Sequence, residues 1–468
     1  MEGDWKKMRK LKYFFWSAKK WATGELKEFK FLDQLKKAEK LDTHDIDALQ
    51  RYRLQALLNH SYANVSYYRS IIDELGGKKA LINEDPVNLL IKMPVLTKKI
   101  LKEKANHLKS NDLDNRKWFF NASGGSTGEP VRFVQDQDYH IYSHAVTRLF
   151  DSWTGYETSM PKVVLWGSER DLLVGSETFQ TRLGRWLRGE IWLNSFHMTE
   201  EKMYHYVEAI NRYRPFQILA YVESIYEFVR FIEQKKLTVY SPKAIMTSAG
   251  TLYPQMREVI ERVFRSPVFN RYGSREVGGI ACECDNHKGL HVSPLTHYVE
   301  ILKEDGKPTL PGEVGEVVVT SLVNFAMPFI RYKIGDMAIW EEKNCSCGRK
   351  WPMLKEVVGR ETDIFIKKDG TRVVPEYFIH IIGVVLRPSW LRKFQVIQEE
   401  YDYIRILIAP SISFEEAYRF LQQEKANLEE KVRAVMGNEC RLNIELVEDI
   451  FPSSGKFRYT LSKVVKDA

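Results

Sequence analysis

Asn121 to Phe133 reads NASGGSTGEPVRF. Hydroxyls at Ser123, Ser126 and Thr127 are interleaved with Gly124, Gly125 and Gly128, between strand-like apolar runs. Glycines let backbone N–H groups converge on an anion, and hydroxyls add donors, so the stretch suits a flexible phosphate cradle. Two other chemistries explain less of it. Gly124 to Gly128 satisfies G-x-S-x-G, but a nucleophile elbow needs a helix directly after its serine, and Glu129-Pro130 followed by VRFVQ reads as a strand. A Walker loop would close on Gly-Lys-Ser/Thr, which this stretch lacks. A plain hairpin turn calls for one or two glycines and leaves the hydroxyls unexplained.

The second chemistry-bearing group is thiol-rich. Four of the five cysteines fall in two close pairs. Cys284-x-x-His287 and Cys345-x-Cys347 supply three thiolates and an imidazole, a closed tetrahedral zinc set that is structural rather than catalytic. Cys282 and His291 are competing ligands. The alternative is reduced, metal-free thiols, a disulfide being disfavoured in the cytosol.

Downstream of the loop stand YGSREVG (Tyr272 to Gly278), RYKIGD (Arg331 to Asp336), VVGRETD (Val357 to Asp363) and PSSGKFRY (Pro452 to Tyr459). Taken singly, Asp336 reads as a turn residue and Lys456 as a solvated lysine. Taken together and in this order, the motifs resemble the adenylate-forming superfamily of acyl-CoA synthetases and peptide-synthetase adenylation domains. LLNHSYANVSYYRSIID, MPVLTKKIL and CSCGRKWPMLKEVVGR resemble its phenylacetate-CoA ligase branch, in particular the adenylating ligases of capsular-polysaccharide clusters and the deazaflavin-cofactor synthetases. The resemblance runs from about residue 50 to the end of the chain.

That resemblance implies attack of a carboxylate on the α-phosphate of ATP, giving an acyl-adenylate and pyrophosphate, and then transfer to an acceptor, CoA or an amine. Transfer of AMP itself, and a degenerate nucleotide-binding scaffold, are the rival readings. Ser123, Gly124, Gly125, Ser126, Thr127 and Gly128 would hold the β- and γ-phosphates. Glu276 would ligate Mg²⁺, a hard cation suited to a carboxylate and phosphate oxygens. Tyr272 and Gly273 would lie at the adenine, Asp336 would accept the ribose hydroxyls, and Arg360 would add a ribose or phosphate contact. Lys456 would reach the α-phosphate and the carboxylate together, where charge builds in the transition state. Thr362 and Asp363 would be the hinge. The branch also favours zinc at the cysteines. Three positions depart from the family pattern: Glu129 where lysine is frequent, Arg275 where threonine or serine is usual, and Thr251 where many relatives have glutamate.

Elements must position these residues. Residues 1–85 read as a helical opening segment, with DALQRYRLQALLNHSYANVSYYRSIIDEL at helical spacing and Gly76-Gly77 as its stop. Thr97 is placed to cap a short helix. From about 117 to 340, KVVLWG, FQILAYV, KAIMTSAG and VFNRYG alternate with helical runs, the pattern of an α/β fold with a parallel sheet, and a β-rich part follows. The expected division is an N-terminal adenylate-forming domain over 1–358, a hinge at 359–363, and a small, mobile C-terminal α+β domain over 364–468. Tyr221 to Phe228 is the expected wall of a carboxylate pocket.

The 468 residues carry 70 basic and 62 acidic side chains, a net charge of +8 at pH 7. The charges are interspersed, so a nucleic-acid partner is not implied. No apolar run approaches the roughly 20 residues of a bilayer span. With no secretory signal, the cytosol is the expected compartment. The start is nevertheless basic and aromatic: Trp5, Met8, Phe15 and Trp21 stand among Lys6, Lys7, Arg9, Lys10, Lys12, Lys19 and Lys20. It could lie on the inner face of an anionic membrane, pack on the large domain, or form a homodimer interface.

Overall fold

Ala244–Ser248 is buried at every position, and Lys162–Trp166 at all but its last. Strands covered on both faces belong inside a parallel sheet flanked by helices. The computed structural model describes residues 2–22, 26–122, 131–167, 179–195, 198–360, 364–370, 372–373, 378, 382, 390–450 and 458–464. In it these runs join an eleven-stranded sheet ordered Glu190–Asn194, Lys162–Trp166, Gln217–Tyr221, Ala244–Ser248, Val268–Ser274, Gly278–Glu283, Leu290–Val292, Met353–Arg360, Tyr332–Trp340, Val314–Ser321 and His297–Leu302. The first five strands are parallel and are joined through helices including Glu200–Tyr213, Val222–Gln234 and Pro254–Phe264. Gly278–Glu283 then turns back antiparallel on Val268–Ser274 and begins the β-rich part. The α/β architecture expected from the alternation is what the chain forms.

The described chain divides into two compact units. One runs to residue 357 apart from 335–337; the other takes 335–337 and residues from 358 onward. In the first unit, the helical opening differs from expectation at one point. The single helical run breaks at Val65, whose backbone is extended (φ −121°, ψ 110°), giving Thr43–Asn64 and Ser66–Glu74. The break has a physical reason: the Asn64 carbonyl accepts the Asn111 N–H at 2.8 Å, and Val65 itself is fully buried. Thr97 does cap Lys98–Glu103, accepting the Ile100 N–H at 3.3 Å.

The second unit is α+β. Its four-stranded sheet is ordered Arg441–Leu446, Tyr403–Pro410, Leu391–Glu400 and Thr460–Ser462. The helix Phe414–Met436, capped by Ser413, buries Leu421, Leu428 and Val432. The Arg458 carbonyl accepts from Gln395 Nε2 at 2.9 Å and the Tyr459 carbonyl from the Val396 N–H at 2.8 Å. The chain leaving PSSGKFRY is thereby fastened to the strand Leu391–Glu400.

Back in the first unit, the segment MPVLT is stitched to the strand Tyr332–Trp340. The Leu96 N–H donates to the Arg331 carbonyl at 2.9 Å and Leu96 O accepts from Lys333 at 3.0 Å. Arg331 is buried and left-handed (φ 51°), a conformation that non-glycine residues hold only when surroundings dictate it. Its guanidinium donates to Glu300 at 2.9 and 3.1 Å and to the carbonyls of Ile91 (2.8 Å) and Met93 (2.6 Å).

Breaking this buried pair strands a carboxylate. Arg331→Met should therefore lower the unfolding free energy by about 3–5 kcal/mol. Adding Glu300→Leu should restore much of it, since the orphaned charge is then gone. Urea denaturation of the three proteins measures both effects.

Candidate active site and candidate metal centre

The motif YGSREVG folds as the turn of a hairpin. Val268–Ser274 and Gly278–Glu283 pair through Tyr272↔Ala281 and Gly273↔Gly279, with an irregularity between Tyr272 and Gly273. Two glycines make the turn possible. A Cβ on Gly278, which holds φ +84°, would stand 2.7 Å from Ser143 Oγ, and one on Gly273 would press on the Gly278 carbonyl oxygen. Tyr272 and Glu276 are buried, whereas Arg275 between them is exposed.

The turn is held by polar side chains outside the expected site set. Gln135, buried in the strand Arg132–Asp136, donates its amide to the carbonyls of Arg275 (3.0 Å) and Glu276 (3.2 Å). Its own oxygen accepts from Asn121 Nδ2 at 2.9 Å, on the strand Trp118–Ala122. The two strands that flank residues 123–130 are thus both linked to the turn carrying Glu276. His297 holds the next carbonyl: burial pushes its imidazole down to about 4, so it is neutral, and Nε2–H donates to Val277 O at 2.8 Å. A glutamine and a histidine inside apolar runs were the available signal, because buried polar side chains need a partner.

Beside the turn lies a cleft of about 990 Å³, lined among others by Lys117, Phe119, His140, His144, Ser274 and Arg275. Arg116, also in its lining, is neutralised by Asp112 (2.7 Å) and Asp136 (3.1 Å). Asp136 in turn caps the helix Gln137–Trp153 by accepting the Tyr139 N–H at 2.7 Å. The lining combines cationic, polar and aromatic side chains.

Within the second unit, Asp336 and Arg360 come together, Arg360 Nε lying 3.7 Å from Asp336 Oδ1. Gly335 precedes the aspartate at φ +89°. Of the other expected site residues, Ser123, Gly124, Gly125, Ser126, Thr127, Gly128, Thr362, Asp363 and Lys456 lie outside the described residues. The expected pocket wall is in large part core: Tyr221 stacks on Trp166 at 3.8 Å, and Ile225 and Phe228 are buried among helix and strand residues.

The cysteines do converge, with one correction. Ligand atoms of Cys284, His291, Cys345 and Cys347 all lie within 4.8 Å of one another. Cys284 Sγ is 3.6 Å from Cys345 Sγ, and Cys347 Sγ is 3.4 Å from His291 Nε2. Ligands at zinc distances stand roughly 3.3–3.8 Å apart around a tetrahedron, so the set fits that ion. His287, the expected ligand, is not in the group. It sits in a left-handed turn (φ 49°) with its N–H on the Cys284 carbonyl, and its Nδ1 faces Glu283 at 3.2 Å. His291 enters instead from the strand Leu290–Val292, where it pairs with Met353. Burial and Arg349 lower the His291 imidazole to about 4, leaving it neutral and able to ligate. Burial pushes the Cys284 thiol up to about 12, so a nearby cation is what would make it a thiolate. Cys282 is buried in the core, its sulfur 3.9 Å from that of Met246.

Residues 365–463 match the family described as the CapK C-terminal domain. Over 433 residues the chain is 24% identical to Protein CapK of Staphylococcus aureus, covering 90% of each. It is 26% identical over 356 residues to a phenylacetate-coenzyme A ligase of Thermus thermophilus, covering 72% of this chain and 75% of that one. The corresponding ligase of Escherichia coli is 25% identical over 355 residues, covering 72% and 77%. Among solved structures, a 2-hydroxyisobutyryl-CoA ligase in its postadenylation state superposes with a TM-score of 0.72 at 17% identity, covering 91% of both chains, a likeness of fold.

The metal geometry separates the two histidines. His291→Ala should weaken zinc binding at least 10-fold, whereas His287→Ala should leave it within about twofold. Competition against a chromophoric chelator measures both. Equal losses in the two variants would return His287 to the ligand set.

Proposed function

We propose that this ATP-dependent ligase, a homologue of CapK and of the phenylacetate-coenzyme A ligases, activates a carboxylate as its acyl-adenylate and then hands the acyl group to a thiol or amine acceptor. In the first step a carboxylate oxygen bonds to the α-phosphorus of ATP as the bond to the β-phosphate oxygen breaks, and pyrophosphate leaves. In the second, the acceptor attacks the acyl carbon, AMP departs with the bonding pair, and the acceptor's proton goes to solvent or base. The observation that carries the reading is Glu276, a buried carboxylate on a turn tied by Gln135 and Asn121 to both strands flanking the glycine loop.

On this reading Ser123, Gly124, Gly125, Ser126, Thr127 and Gly128 hold the β- and γ-phosphates through backbone N–H groups and hydroxyls. Glu276 is the residue that would hold Mg²⁺, which supplies neutralisation of phosphate charge. Tyr272 and Gly273 border the adenine. Asp336 accepts the ribose hydroxyls, and Arg360, its Nε 3.7 Å from Asp336 Oδ1, orients that carboxylate. Lys456 donates to the α-phosphate oxygen and the attacking carboxylate, and Thr362 and Asp363 form the pivot between the two half-reactions. CoA is the acceptor suggested by the coenzyme A ligases among its relatives, and the sequence resemblance to adenylating ligases of capsular-polysaccharide clusters suggests polysaccharide synthesis as the setting. Cys284, His291, Cys345 and Cys347 hold a structural zinc that takes no part in the chemistry.

Pyrophosphate release with ATP, Mg²⁺ and a panel of carboxylates tests the activity. Glu276→Ala and Asp336→Ala should each reduce it at least about 100-fold, and only Glu276→Ala should also change the Mg²⁺ dependence. No release from wild type with any carboxylate would overturn the reading.

The half-reactions separate the last assignments. Lys456→Ala should abolish adenylate formation yet spare reaction of a supplied acyl-adenylate with its acceptor. Thr362→Pro, which stiffens the pivot, should give one burst of pyrophosphate and then slow completion. Rapid-quench assays of each step, with circular dichroism to show an intact fold, decide between this division of labour and a single pose.

A further inference from the structure

We propose that the outer face of the N-terminal helix docks this protein on an anionic lipid bilayer. Glu2–Ala22 has an inner side fixed to its own unit. Arg9 pairs with Glu157, Lys12 Nζ lies 4.7 Å over the Trp186 ring, and Trp16, only 6% exposed, packs against Phe29 at 5.5 Å beneath the Arg148 guanidinium. Positions 9, 12 and 16 recur at helical spacing, so the inward side is filled. Positions 11, 14, 15, 18 and 21 fall on the opposite arc. There Phe14 is 64% and Trp21 70% exposed, with Leu11 and Phe15 about half exposed. The helix Phe179–Arg188, against which this one packs, adds exposed Leu183 and Trp186. An apolar stripe of this kind, rimmed by charge, marks an interaction surface rather than scattered exposure.

Charge selects the occupant. Glu2–Ala22 carries five basic side chains besides the inward Arg9 and Lys12, against two acidic ones, and Phe179–Arg188 adds Arg182, Arg185 and an Arg188 that pairs with Glu190 at 3.0 Å. Aromatic side chains at headgroup depth with lysines and arginines beside them are the chemistry of an interfacial helix on anionic lipid. A second copy of the chain fits less well, because a twofold interface sets the patch against itself and brings these like charges together. No helix among the described residues is long and apolar enough to cross a membrane, so the contact would be peripheral.

Flotation of the full chain with vesicles tests this. At low salt the protein should float with phosphatidylglycerol-containing vesicles at least about 10-fold more than with pure phosphatidylcholine vesicles. The difference should shrink in high salt, where exposed charges are screened. Phe14→Ser/Phe15→Ser/Trp21→Ser should lose at least 10-fold of that binding with an unchanged circular dichroism spectrum. A second variant, Lys6→Gln/Lys7→Gln/Lys19→Gln/Lys20→Gln, should lose the preference for phosphatidylglycerol. The proposal is overturned if wild type ignores phosphatidylglycerol vesicles, or if both variants bind them as wild type does. Light scattering that shows a dimer dissolved by the triple serine variant, without vesicle binding, would assign the face to a second copy instead.

Discussion

One amide group organises the candidate active site. Gln135 is almost wholly buried, so its donors must be satisfied inside the protein, and two adjacent carbonyls at the tip of a tight turn are what satisfy them. A hairpin tip that carries an acid between two strands would otherwise be free to tilt. With Asn121 polarising the same amide from behind, the hydrogen bonds form a chain, each strengthening the next in a low-dielectric setting. Because one end of the chain stands before the glycine-rich stretch and the other after it, both strands framing that stretch share one anchor with Glu276. The neutral His297 closes the other side of the turn by holding Val277. A site whose work is electrostatic depends on this kind of fixation, since charges that need not reorganise are worth more than charges that must.

The cysteine-rich centre repeats the logic at a larger scale. Its ligands come from just after Gly278–Glu283, from the neighbouring strand Leu290–Val292, and from the distant loop between Tyr332–Trp340 and Met353–Arg360. The loop is also gripped from the helical opening. Glu39 accepts from Arg349 at 2.6 Å and from Trp153 Nε1 at 2.7 Å, and the Ala38 carbonyl accepts from Trp351 at 3.0 Å. A metal there would staple a junction that packing has already brought together, which is why its loss should register in stability before chemistry.

What the sequence made legible follows from what each signal encodes. Alternating strand and helix periods report burial, and burial fixes layer order, so the parallel sheet and the α+β character of the second unit could be read directly. Breaks and ligand choice depend on long-range partners. Nothing local announces that Asn111 will capture the Asn64 carbonyl and end a helix at Val65. Likewise Cys-x-x-His spacing is satisfied by His287 only if the turn points its ring inward. The left-handed backbone there sends it to Glu283, and the register Met353↔His291 delivers the other imidazole. The glutamine at 135 was visible as an oddity in an apolar strand, but its two acceptors lie about 140 residues away.

Arg275 draws these threads together. At a position where the family resemblance leads one to expect a hydroxyl, this chain sets a guanidinium on the cleft lining, exposed beside a buried Glu276. The backbone cannot follow the side chain, because Gln135 holds the Arg275 carbonyl. Arg116 contributes little net field, being matched by Asp112 and Asp136, so the positive charge of the lining falls to Lys117 and Arg275. A hydroxyl recognises one phosphate oxygen at short range and is indifferent to salt. A guanidinium recognises two at once, acts over a longer distance and keeps its charge at every working pH. On the proposed function, a long, charged head on an anchored backbone is a way to hold the polyphosphate that leaves as pyrophosphate.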